Sequence, residues 1–265
     1  MKKILCALGM YLCLANLVNA QDFALQQLEK SPRHSEFVDI VNGKRKVHCF
    51  VVYPEVSAKA TTIIVIHENK GLTDWVRSFA DQLAAAGYIV IAPDLLSGFD
   101  EKHATTPDFA NSQDATKAIY ELKQPQVSSD LDSVEKYAAK IPASNGKTAV
   151  IGFCWGGGQS FAFATTNSHI KTAMVFYGTP PDANAIKNIK VPVYGFYGGN
   201  DQRINATITP TDSLMKAAGK TYEPKIYAGA GHAYMRAGDD PTGSKENKDA
   251  RDASWIRIKE ILAKL

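Results

Sequence analysis

The sequence predicts an α/β fold, a mainly parallel twisted sheet with helices on both faces, and three observations carry that expectation. Short runs rich in β-branched and aromatic residues alternate with segments of helical periodicity. Several of those runs are continuously apolar, as strands are when helices cover both faces of their sheet. No internal repeat, low-complexity block or long linker interrupts the alternation, so residues 21–265 are expected to form a single domain.

At the start of the chain, Met1, Lys2 and Lys3 precede an apolar run over residues 4–18, and "VNA" presents Val18 and Ala20 as the small residues a signal peptidase reads. Residues 1–20 are therefore expected to be a secretory signal peptide cleaved after Ala20, giving a periplasmic or secreted protein that begins at Gln21. The run falls short of the roughly 20 apolar residues a membrane span needs, and no later segment supplies one; an uncleaved N-terminal anchor is the alternative. Cys13 lacks the preceding small residues of a lipoprotein signal, so no lipid anchor is expected. Removing Lys2 and Lys3 lowers the net charge from +3 to +1, which leaves no electrostatic footprint for nucleic acid. Cys6 and Cys13 go with them, leaving Cys49 and Cys154, which do not make a disulfide scaffold.

The segment "KVHCFVVYP" alternates in polarity and is expected to add an antiparallel edge, with Cys49 a small buried hydrophobe. Parallel strands are expected over residues 61–66, 88–92, 147–153, 172–178, 191–198 and 224–229. Over residues 73–86, Val76, Phe79 and Leu83 recur at helical spacing, with Thr73 placed to cap the start and Gly87 to end it. Further helices are expected directly after Cys154, over residues 129–139, and over residues 252–265, where Trp255, Ile258, Ile261 or Leu262, and Leu265 share one side. In such sheets ligands lie beyond the carboxyl ends of the strands, so the residues just after each apolar run are the place to seek chemistry.

Gly152-Phe153-Cys154-Trp155-Gly156 joins an expected strand to an expected helix. The pattern is a nucleophile elbow with cysteine in place of serine: a sharp turn forces the central residue into a strained backbone conformation, and side chains at the flanking positions would collide with strand and helix. A thiol held there faces the unpaired N–H groups of a helix N-terminus, which favour the thiolate. The alternative is a glycine-rich turn that only packs helix on strand. Asp201 in "YGFYGGND" and His232 in "IYAGAGHAYMR" follow two later strands. Nucleophile, acid, histidine is the chain order of the α/β-hydrolases, in which His232 would take the thiol proton and Asp201 would hold its imidazole in the useful tautomer. After the first long apolar strand, "IHENKGLTDW" brings His67, Glu68, Asn69 and Gly71. By position the backbone N–H groups of Trp155 and Asn69 would form the oxyanion hole. Glu68 is the unusual member, because a buried carboxylate is costly unless paired; the alternative is that it turns outward to solvent.

With "HENKGL", "GYIVIAPDLL", "GFCWGGG", "GGNDQRI" and "GAGHAYMR", the chain from about Val47 to Leu265 resembles the dienelactone hydrolase family, α/β-hydrolases with a Cys-Asp-His triad. The resemblance implies an α/β-hydrolase fold with Cys154 as nucleophile, His232 as base and Asp201 as its orienter. It matches Glu68 to the family's active-site glutamate, which interacts with the resting thiol and gives way when substrate enters. Such gating suits an exported enzyme, since a permanently exposed thiolate is easily oxidised. It also implies that Arg236, four residues beyond His232, is one of two arginines that bind the carboxylate of the diene lactone; a plain surface arginine is the alternative. The second arginine belongs shortly after the "PDL" turn, where residues 93–98 read PDLLSG and hold none. The family is thus expected without its namesake substrate.

The expected activity is hydrolysis of a small ester or lactone through a thioester on Cys154. A compact substrate is favoured because residues 98–125, the main place for a cap, form only a moderately long segment. No metal or organic cofactor is implied, as the chain has no histidine pair at zinc spacing and no G-x-x-x-x-G-K loop, and a monomer is expected. A broad carboxylesterase or small thioesterase differs only in pocket shape. The alternative from another class is a thiol redox-sensing or binding protein in which Glu68 and His232 only tune Cys154; an acid and a histidine in working order argue for turnover.

Overall fold

The apolar runs become one eight-stranded sheet in the computed structural model of the chain, which describes residues 23–265; the expected signal peptide and its cleavage point lie outside the described residues. The strands are β1 (Ser35–Asn42), β2 (Arg45–Val52), β3 (Ala60–Ile66), β4 (Ile89–Pro93), β5 (Ser144–Phe153), β6 (Thr172–Phe176), β7 (Val193–Gly198) and β8 (Tyr222–Tyr227). Their order across the sheet is β1-β2-β4-β3-β5-β6-β7-β8, with β1 and β2 antiparallel at one edge and the other six mutually parallel. The expected mainly parallel sheet is therefore present, and "KVHCFVVYP" does enter it antiparallel. That segment is the second strand, however, and the edge is β1, whose "SEFVDIVN" is mostly exposed with Ile40 its one fully buried residue.

The helices are α1 (residues 23–29), α2 (Asp74–Ala85), α3 (Ser112–Glu121), α4 (Gln124–Ala138), α5 (Trp155–Thr166), α6 (Ala183–Ile186), α7 (Gln202–Ala217), α8 (Tyr234–Asp239) and α9 (Lys245–Leu262). Two apolar layers show how they cover both faces. Ile63 and Val65 of β3 pack with Val76 and Phe79 of α2 and Ile258 and Ile261 of α9, whereas Ile64 and Ile66 pack with Leu131 of α4, Phe161 of α5 and Ile204 of α7. The two-residue period of the strand assigns neighbours to opposite layers, and full burial of each such side chain is worth about 1.5–3 kcal/mol.

Helix ends depart from expectation in three places. Thr73 precedes α2, but its side chain makes no capping bond; Gly87 closes the helix at φ +98°. Helix α4 begins at Gln124 because Pro125 suits the first turn, and α9 begins at Lys245 because the Ser244 side chain accepts the Asn247 N–H at 3.3 Å. Helix α7 was not expected at all, since Pro210 and a run of threonines mask its periodicity.

Residues 98–125 form a short cap containing α3. Ala115, Ala118 and Ile119 of α3 pack with Leu96, and the partly buried Trp155 lies against them. The cap is tied down by Asp94 at the end of β4. Its buried carboxylate accepts the Thr106 N–H at 2.6 Å, the Thr106 hydroxyl at 2.8 Å and the Leu96 N–H at 3.0 Å, while Thr106 Oγ1 accepts the Leu72 N–H at 3.0 Å. Asp94→Ala should cost about 2–4 kcal/mol, because it leaves buried donors unpaired. Thr106→Ser, which keeps the hydroxyl, should cost about 1 kcal/mol or less. Urea denaturation checks both, and an Asp94→Ala midpoint equal to that of the parent would remove Asp94 as the anchor.

Candidate active site

Between β5 and α5 the backbone of Cys154 adopts φ 54° and ψ −115°, a conformation that costs a non-glycine residue about 1–3 kcal/mol. Close packing on both sides sustains it. A Cβ on Gly152 would lie 1.9 Å from the Gly156 carbonyl oxygen, and one on Gly156 would lie 2.2 Å from the His67 carbonyl oxygen. Glycine at both positions lets α5 press against its own strand and against the exit of β3. The Cys154 N–H donates to Phe176 O at 3.0 Å, which links the turn to β6 as well.

The elbow presents the thiol to residues from two other strand ends. His232 Nε2 lies 3.2 Å from Cys154 Sγ, and His232 Nδ1 lies 2.5 Å from Asp201 Oδ2. Asp201 is buried at the start of α7, where its other oxygen accepts the Ile204 N–H at 3.4 Å. A carboxylate only accepts, so the proton sits on Nδ1 and leaves Nε2 free to take one from sulfur. Ala233, in the left-handed region at φ 60°, turns the chain directly after His232.

Burial raises the Cys154 thiol above its ordinary range, Glu68 adds to this, and the Trp155 N–H and Arg203 oppose it. The helix N-terminus acts in the expected direction, but desolvation and the nearby carboxylate outweigh it, so the resting group is the protonated thiol.

Glu68 does not turn outward. It is 6% exposed, and its Oε2 accepts Arg236 Nε at 2.8 Å. Arg236 is accordingly no plain surface residue; its guanidinium is engaged by Glu68, whose charge raises it further. Among the described hydrogen bonds the thiol's side-chain partner is His232, and Glu68 acts on sulfur through space. Next to Glu68, the fully buried His67 ring donates from Nδ1 to Glu68 O at 2.7 Å, accepts the Leu95 N–H on Nε2 at 3.1 Å, and stacks on Trp155 with centroids 5.5 Å apart. Only the neutral Nδ1–H tautomer satisfies both bonds, and burial lowers the pKa of this histidine accordingly. His67 thus positions the turn that carries Glu68 and Asn69. Among the described residues, neither the Trp155 nor the Asn69 N–H donates to a backbone carbonyl.

Two further residues were not singled out from the sequence. Tyr177, at φ 40° after β6, is fully buried with its ring 5.0 Å from that of His232, and its hydroxyl has no partner among the described residues. Arg203, two residues after Asp201, faces a cleft of about 250 Å³ whose walls include Cys154, Trp155 and Tyr177. The signal for both was their place just beyond a strand end, which many loop residues share.

A model of the dienelactone hydrolase family matches residues 47–265. The chain is 31% identical over 214 residues to the "Putative carboxymethylenebutenolidase" of Methylorubrum extorquens, covering 75% of this chain and 70% of that protein. It is 29% identical over 254 residues to the protein of the same name from Saccharolobus solfataricus, covering 83% and 95%. Its fold is similar to the crystal structure of the "Putative Dienelactone Hydrolase" from Klebsiella pneumoniae, with a TM-score of 0.77 at 23% identity over 88% of this chain and 99% of that one.

The electrostatics of the thiol are open to a direct test. Glu68→Gln removes a negative charge that raises the Cys154 pKa and frees the positive charge of Arg236, and both changes favour the thiolate. The pH profile for alkylation of Cys154 by iodoacetamide should move to lower pH. A profile unmoved or shifted upward would show that Glu68 does not hold the thiol protonated.

Proposed function

The chain belongs to the dienelactone hydrolase family, and from that premise we propose that it hydrolyses a small ester or lactone with Cys154 as nucleophile. The observation that carries this reading is the continuous line from Asp201 Oδ2 to His232 Nδ1 and from His232 Nε2 to Cys154 Sγ, at 2.5 and 3.2 Å. Sγ attacks the substrate carbonyl carbon as its proton passes to His232 Nε2, and Asp201 stabilises the imidazolium that forms. The carbonyl oxygen becomes an oxyanion held by the N–H groups of Trp155 and Asn69. Collapse of this intermediate breaks the carbon–oxygen ester bond, and the leaving alkoxide takes the proton from His232, leaving a thioester. Water then gives a proton to Nε2 and attacks the thioester carbonyl; the second collapse releases the acid and returns the proton to sulfur.

Burial, with the charge of Glu68 adding to it, keeps the thiol protonated between turnovers, and Arg236 pairs with Glu68 at 2.8 Å. A thiol at rest resists oxidation, which suits an enzyme outside the cytoplasm. Export itself is part of the proposal and rests on residues 1–20, where two lysines, an apolar run and "VNA" follow one another. Action as a monomer is part of the proposal.

Cys154→Ala should lower kcat/KM on aryl esters and lactones by about 10³-fold or more, and mass spectrometry of rapidly quenched wild type should find the acyl group on Cys154. Cys154→Ser should also lose most activity, because the surroundings are arranged for a thiol. Equal activity of wild type and Cys154→Ala would sink the proposal, and reversible oxidation of Cys154 without hydrolysis of any substrate would favour a sensor. Export is checked by the mass of the full-length product recovered from a bacterial periplasm, which should correspond to a chain beginning at Gln21. An intact N-terminus there would show that residues 1–20 are not removed.

A further inference from the structure

We propose that Asn247 is a positioning residue for the reaction: from the first turn of α9 it fixes the backbone amide next to His232, and so sets the place of the imidazole between Asp201 and Cys154. The inference deepens the hydrolase reading and rests on it. Between β8 and α8 the chain reads Ala228-Gly229-Ala230-Gly231-His232-Ala233, a loop in which the histidine is the one large side chain. Such a segment has much conformational freedom to lose and no neighbouring side chains with which to anchor itself. Nor does packing of the ring alone hold it, because the His232 side chain is 33% exposed. Its place is therefore set from outside.

The loop is held on two sides. Towards β7 the holding groups are mostly backbone: the Gly199 N–H donates to Tyr227 O at 2.7 Å and the Asn200 N–H to Ala230 O at 2.9 Å, while Asn200 Nδ2, at the surface, donates to Gly229 O at 2.9 Å. The loop presses close there, since a Cβ on Gly198 would lie 2.5 Å from Gly231 O. On the α9 side the hold is a single side chain. Asn247 Oδ1 accepts the Gly231 N–H at 3.0 Å, one residue before His232. Among the described residues no other side chain bonds to the backbone of residues 231–233. Asn247 is itself a fixed point. Its N–H donates to Ser244 Oγ at 3.3 Å, and α8 packs against its backbone so closely that a Cβ on Gly238 would lie 2.4 Å from Asn247 O. Losing the Gly231 bond would free the one part of the loop that carries the base, and displacing a catalytic group by about 1 Å can cost on the order of 100-fold in rate.

Two measurements on the intact protein test this. Asn247→Ala removes the acceptor and Asn247→Asp keeps an oxygen in its place; both residues suit the first turn of a helix. With 4-nitrophenyl acetate, kcat of Asn247→Ala should fall about tenfold or more while KM stays within about twofold of wild type, and Asn247→Asp should recover most of the loss. The second measurement needs no turnover. Long-range proton–nitrogen NMR correlation through the ring C–H protons reads which nitrogen of neutral His232 carries the proton. Wild type and Asn247→Asp should show the Nδ1–H form, and Asn247→Ala a mixture of the two forms. If no ester is hydrolysed by wild type, the hydrolase reading fails and the tautomer alone decides whether Asn247 holds the ring on Asp201. In an active enzyme, a kcat unmoved in Asn247→Ala, a tautomer unmoved in that variant, a loss carried by KM instead, or an Asn247→Asp variant as impaired as Asn247→Ala overturns the inference.

Discussion

Where β5 turns into α5 there is no room for side chains, and the rest of the site follows from that crowding. Gly152 and Gly156 allow the helix to lie against the strand that feeds it and against the exit of β3, so Cys154 has to bridge them in a backbone conformation that carries its thiol above the sheet. The same contact brings the His67–Asn69 turn beside the first turn of α5. His67 then secures it from both sides, through a hydrogen bond to Glu68 O, another from the Leu95 N–H, and a stack on Trp155. Backbone strain at one residue is thus stabilised by packing from several strands.

Around that thiol, the charges fall into two groups. Glu68 and Arg236 form an ion pair, and the Glu68 charge adds to the burial that raises the thiol pKa. Asp201 is paired with His232, while Arg203 faces the cleft without a counter-ion among the described residues. The protonation state of the nucleophile is set first by burial, with the Glu68 charge acting in the same direction.

Much of this is legible in the sequence, for identifiable reasons. Strands buried on both faces announce themselves as unbroken apolar runs, and β3 to β7 were all anticipated to within a few residues. Local rules failed where a second influence competed. The alternation of β1 belongs to a solvated edge and looks like a polar loop, while Pro210 and the threonines of α7 contradict a helix that packing of Ile204, Ile208 and Met215 nevertheless enforces. Of the site residues, Cys154, Asp201 and His232 could be named because each follows a strand and their order along the chain is informative. Tyr177 and Arg203 also follow strands, but nothing in their neighbours distinguished them.

By itself the sequence determined the sheet, the elbow and the types of group available for chemistry, since each depends on short-range patterning of apolar residues and glycines. Only the tertiary structure decided which charges neutralise one another. Glu68 and Arg236 are 168 residues apart in the chain, and whether that arginine meets the carboxylate, the solvent or a substrate depends on where α8 settles relative to the loop after β3. The same holds for Arg203, whose exposure to the cleft depends on the course of α7. Pairings of this kind rest on distances of a few ångströms between elements remote in sequence, and no local periodicity encodes them.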